Sequence, residues 1–228
     1  MLRELLRIFR TGSGPLGAMG KDFARMLALA RDNALAAGEI YFGERASPEE
    51  RSRIYAQDVE INKLERAIRR QVVAHLSFRD NYLDVPYCLL LMSLVKDVER
   101  LGDYAKNLSE VVDVRSAPLP DDEIARELQE IRLGVESALR NMQEIFDASD
   151  RDRALEYIEQ GRSLAHRCDV LIGRNASSTH DPATTTAIVL GVRYYKRLGG
   201  HALNVLSSVV MPLDKIDYHD EDVVRRQA

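Results

Sequence analysis

Glu99, Asp103, Asn107 and Glu110 fall at offsets 0, 4, 8 and 11, so on a helix they form one oxygen-rich stripe about three turns long. Two carboxylates four apart repel by a few tenths of a kcal/mol, roughly. Lys96, Arg100 and Lys106 lie close enough in sequence to offset that repulsion. A bound cation would offset it too, and Mg, Mn, Fe or Zn all accept such oxygens. Asp58, Asn62 and Glu65, at offsets 0, 4 and 7, make a second oxygen-bearing face with Glu60 nearby. The alternative for that face is surface ion pairing with Lys63, Arg66 and Arg70, and for Glu99 and Asp103 a solvated polar face.

The stripe belongs to a segment that recurs. VKDVERLGDYAKNLSEVV (95–112) aligns with VRYYKRLGGHALNVLSSV (192–209) at an offset of 97. Arg100, Leu101, Gly102, Ala105 and Asn107 match Arg197, Leu198, Gly199, Ala202 and Asn204. The acids do not recur: Glu99 becomes Lys196 and Asp103 becomes Gly200. A mid-helix Gly costs about 1 kcal/mol against Ala, so its recurrence points to close helix packing or a tight site. Asn107 and Asn204 are either ligands or polar core and cap residues. A repeat at this period signals a duplicated architecture.

The elements that would carry these residues are helical throughout. No alternating β-branched run reads as a strand. Helices are expected at about residues 19–40, 48–77 and 86–114, then at 123–146, 150–172 and 182–211. Ser47, Pro48 and Glu50 form a helix-start signal, and Ser149 is a candidate cap for the fifth helix. TGSGPL (11–16) reads as a flexible joint and APLPDD (117–122) as an interdomain linker. The fold class is therefore all-α, with two tandem up-down-up three-helix bundles at 19–116 and 121–212. They follow an amphipathic segment and joint at 1–18 and precede a charged, frayed tail at 213–228.

Bulk properties narrow the function. The chain has 228 residues, 45% hydrophobic and 30% charged, with net charge −4, which argues against a general affinity for nucleic acid. Cys88 and Cys168 lack a CxxC spacing and read as reduced core thiols of a cytoplasmic protein. No signal peptide is expected, and the apolar run at 85–95 covers about half a bilayer crossing, so a buried helix accounts for it better. Residues 1–10 set Leu2, Leu5, Leu6 and Phe9 on one face beside Arg3, Arg7 and Arg10. They read as a helix packed on the body or as a peripheral membrane or partner anchor. No catalytic order, nucleophile elbow, P-loop or nucleotide fingerprint appears, and no His has Glu three positions before it, so no enzyme activity is expected.

ERLGDYAKN (99–107) followed by Glu110 resembles the ERxGDxAxNxxE signature of PhoU proteins, and KRLGGHALN (196–204) resembles its second copy. The resemblance spans about residues 19–211. It implies a cytoplasmic helical regulator of phosphate transport and phosphate-responsive signalling, often a homodimer. Its partners would be a phosphate transporter subunit, a sensor histidine kinase, or both. It also implies metal ligation by Glu99 and Asp103, with Asp58, Asn62, Glu65, Asn107 and Glu110 as companion candidates. The second copy departs from the pattern, since protonated Lys196 cannot ligate and Gly200 has no side chain, so no metal is expected there. Arg193, Lys196 and Arg197 are instead candidates for contact with an anion or acidic partner, or a solvated basic face. His201 is a common companion residue in the family's second copy. A metal-free scaffold docking a membrane transporter is the alternative function.

Overall fold

The structure, a computed structural model, describes residues 14–43, 45–115 and 117–216. Among them are six α-helices and no strand: α1 Gly14–Phe42, α2 Pro48–Leu76, α3 Val85–Glu110, α4 Glu123–Ala148, α5 Arg151–Ala176 and α6 Pro182–Val210. The amphipathic segment 1–10 and most of the charged tail lie outside the described residues.

Helices α1, α2 and α3 pack on one another, and α4, α5 and α6 do the same. Cross-helix bonds set the directions. Gln71 near the end of α2 donates to Asp22 near the start of α1 at 2.8 Å, while Tyr87 at the start of α3 donates to the Leu16 carbonyl at 3.0 Å. In the second bundle Arg167, late in α5, reaches back to Glu127 and Glu130, early in α4. Both bundles therefore run up, down and up. The signature helices α3 and α6 form the principal seam between them, with α1 touching α4. One apolar core of buried side chains runs through both bundles. No described helix is long and apolar enough to cross a membrane.

The helix ends follow local chemistry. Ser47 and Glu50 close a capping box, with the Glu50 amide on Ser47 Oγ at 3.1 Å and the Ser47 amide on Glu50 at 2.8 Å. Asp122 and Asp181 cap α4 and α6. The linker is tied down on both sides: Asp122 also meets His180 Nε2 at 2.6 Å, and Arg115 donates to the Tyr41, Gly43 and Ala117 carbonyls.

Four local expectations need correction. Gly14, Pro15 and Leu16 belong to α1, so helix begins inside the expected joint. Asp150, not Ser149, caps α5; Ser149 is the left-handed end of α4 at φ 53°. A two-residue link must reverse the chain, and the residue that absorbs positive φ cannot also take the extended cap conformation. The third helix stops being α-helical at Glu110 and continues to Val114 as a 3₁₀ turn. The first residues of the tail are ordered, with a 3₁₀ turn at Leu213–Lys215 and Ile216 buried in the core.

Candidate functional site

The face of α3 that carries Glu99 and Asp103 turns toward α2. Gly102 sits between them, and a Cβ there would lie 3.0 Å from Ile61 Cδ1 and 3.6 Å from Asp58 Oδ1. The missing side chain lets α2 come close enough for Asp58, itself buried, to join the group. Burial, followed by the charge of Asp103, pushes the Glu99 carboxyl above its ordinary range, with Glu65 and Asp58 adding to the effect and Arg100 opposing it. The structure thus brings Asp58, Glu65, Glu99 and Asp103 into one electrostatic neighbourhood, as the sequence spacing alone could not establish.

Side-chain cations already fill that neighbourhood. Arg100 Nη1 donates to Asp103 at 2.8 Å, and its Nε lies 3.6 Å from Glu99. Lys106 Nζ donates to Asp58 at 3.0 Å and lies 3.8 Å from Asp103. Glu65 pairs with Arg69 at 2.7 Å, and Glu60 with Arg25 and Lys63; Arg66 and Arg70 are not the partners. Glu110 is drawn away by Tyr55, whose hydroxyl donates to it at 2.5 Å. Asn62 and Asn107 are half-buried. The donor chemistry suits a hard cation, but among the described residues no three Asp, Glu, His or Cys side chains converge as metal ligands. Lys106, between Asp58 and Asp103, and Arg100, on Asp103 and near Glu99, supply the positive charge.

The second signature is built differently. Lys196 Nζ bonds both oxygens of Asp169 at 2.6 and 2.7 Å. Arg193 and Arg197 are exposed, and among the described residues neither has an ion-pair partner. A Cβ on Gly199 would meet Val135 at 3.4 Å, an ordinary contact, and one on Gly200 would meet nothing within 4 Å. His201 and Asn204 turn to the seam: His201 Nδ1 and Asn204 Nδ2 each lie 2.8 Å from Oδ1 of buried Asp97 on α3. Tyr104 stacks on His201 at 5.6 Å. His201 and Asn204 therefore join the two bundles.

Asp97 was missed in the sequence. The signal was an acid between Leu94 and Val98 in the apolar stripe of α3, where an unpaired carboxylate would be costly. Cys88 and Cys168 are both free and buried, and burial pushes each thiol up to about 11, which leaves them unreactive at neutral pH.

Residues 23–112 match the PhoU domain family. No curated protein sequence matches the chain. Among solved structures, PhoU from Pseudomonas aeruginosa superposes with a TM-score of 0.77 at 19% identity, covering 86% of this chain and 95% of that one. The phosphate transport system regulatory protein PhoU from Streptococcus pneumoniae does so with a TM-score of 0.73 at 16% identity, covering 85% and 92%. At these identities the likeness is one of fold.

Proposed function

We propose, for a chain that carries a PhoU domain over residues 23–112 and the PhoU fold over most of its length, a regulator of phosphate transport. It acts by contact with a phosphate transporter subunit or a sensor histidine kinase rather than by catalysis, on the cytoplasmic side of the membrane. The observation that carries the contact reading is an apolar surface at one end of the first bundle. Phe78, Tyr82 and Leu83, around the turn between α2 and α3, are 69%, 69% and 72% exposed, and Leu89 follows on α3 at 50%. Large apolar side chains gathered this way mark interaction surfaces. The test is affinity capture of the tagged chain from cells grown at high and low phosphate. The wild type should recover a phosphate transporter or a sensor kinase, and Phe78→Asp/Leu83→Asp should recover at least about ten-fold less, as expected for a disrupted hot spot. Recovery of neither partner by the wild type would overturn the reading.

The acidic cluster supports a second reading in which Glu99 and Asp103 ligate a metal. Burial of Glu99 beside Asp103 favours it, because a cation would relieve that repulsion. A metal on Glu99 and Asp103 would have to displace Arg100 from Asp103, and Lys106 from Asp58 where Asp58 joins them. Elemental analysis after chelator-free purification separates this reading from a metal-free scaffold. Stoichiometric Mg, Mn, Fe or Zn that is lost in Glu99→Ala/Asp103→Ala supports ligation, and Lys106→Gln should then bind the same metal several-fold more tightly. Equal traces in all three proteins would assign the positive charge to Lys106 and Arg100 alone.

A further inference from the structure

A cavity of about 580 Å³ opens among α4, α5 and α6, on the side of α6 that carries the altered signature. Its inner wall is apolar: Val135 and Ala138 from α4, Tyr157 and Leu164 from α5, Leu203 from α6. Its rim is cationic, formed by Arg162, Arg193, Lys196 and Arg197. Asp169 satisfies Lys196, and His201, which also lines the cavity, bonds to Asp97. Arg193 and Arg197 keep their charge without an ion-pair partner among the described residues.

The sequence explains both the space and the sign. At the offset of 97, Gly200 stands where the first copy has Asp103, and Lys196 where it has Glu99. An aspartate at 200 would project from a backbone that now has nothing within 4 Å of a Cβ, and would set a negative charge beside the rim. The absent side chain leaves room there, and with Lys196 in place of Glu99 both of the paired acids of the first copy are missing at this end.

We propose that this cavity binds a small amphipathic organic anion, with an apolar body against the α4, α5 and α6 wall and a charged head at Arg193 and Arg197. The volume falls in the range of small-molecule sites, which pair apolar walls with a few placed polar groups. An inorganic anion would leave most of the wall wet. A metal ion would meet the rim as a like charge, and a neutral apolar molecule would leave the arginines unused.

The probe is 8-anilinonaphthalene-1-sulfonate, titrated by fluorescence against the intact chain, with far-UV circular dichroism to confirm that each variant folds. The wild type should bind one dye per chain, and decanoate should displace it. Gly200→Asp should weaken binding at least ten-fold with an unchanged helical spectrum. Arg193→Gln and Arg197→Gln should each weaken it several-fold. Gly200→Leu, which takes up part of the space without changing charge, should also weaken binding several-fold. Absence of saturable dye binding, equal binding by Gly200→Asp or Gly200→Leu, or displacement by inorganic phosphate as effective as by decanoate would each overturn the proposal.

Discussion

Arg132→Ala should lower the unfolding free energy by about 3 kcal/mol, the lower end of the cost of stranding one partner of a buried ion pair. Arg132 and Glu136 lie on α4, with side chains only 7% and 3% exposed, and Arg132 Nε donates to Glu136 Oε1 at 2.6 Å. Removing the guanidinium leaves a buried carboxylate. Arg140, which reaches Glu136 Oε2 at 3.0 Å from the surface, keeps the loss from being larger. Arg132 also sits 5.0 Å from the centre of the Phe42 ring and bonds Glu39, so it fastens α4 to the end of α1. Glu39 is 73% exposed and contributes little by itself. For a chain of this size the loss corresponds to a drop in melting temperature of about 6–12 °C. The double variant Arg132→Met/Glu136→Leu should recover most of it, because apolar replacement of both partners removes the stranded charge. A urea titration of the three proteins checks this; equal midpoints for wild type and Arg132→Ala would show that the pair is energetically silent.

Gly191→Ala should cost about 2–4 kcal/mol, although alanine is the better helix former by about 1 kcal/mol. A Cβ there would fall 2.2 Å from the Tyr41 hydroxyl oxygen and 2.3 Å from Cζ. Tyr41 has nowhere to go. It is fully buried, its ring meets Phe42 and Tyr195 edge-on at 5.0 and 6.2 Å, and its hydroxyl donates to the Ala187 carbonyl at 3.0 Å. Accommodating the methyl group therefore loses a buried hydrogen bond as well as packing. Gly199→Ala, eight residues on in the same helix, is the control. With its nearest contact an ordinary 3.4 Å, it should leave stability unchanged or raise it by up to about 1 kcal/mol. Chemical denaturation of both variants checks the pair, and similar losses in the two would refute the packing account.

That contrast shows where the sequence misled. The recurrence of Gly102 as Gly199 pointed to a tight approach in both copies. Only Gly102 is tight, against Ile61, while the closest approaches in the second bundle fall at Gly191 and at Gly161 under Leu203. A glycine's spacing says that a side chain is missing; it does not say whether another atom fills the place. The same limit applies to the carboxylates. That Glu99 and Asp103 share a face follows from helical geometry. That Lys106 bonds Asp58 depends on how closely α2 approaches α3, which a single helix does not encode.

What the sequence determined by itself was local and periodic. Six amphipathic stretches, the Ser47–Glu50 capping box and the repeat at an offset of 97 were enough for an all-α chain with two three-helix sets, and Glu99 against Lys196 marked the two copies as chemically different. The tertiary structure decided everything that depends on two helices at once. It buried Asp97 and gave it His201 and Asn204, buried Arg132 with Glu136, wedged Tyr41 against Gly191, and left a cavity among α4, α5 and α6 beside Gly200. The reason is physical. Capping and amphipathic periodicity act within a few residues along the chain, whereas burial, close approach and the pairing of a charge are set by side chains as far apart in sequence as Tyr41 and Gly191.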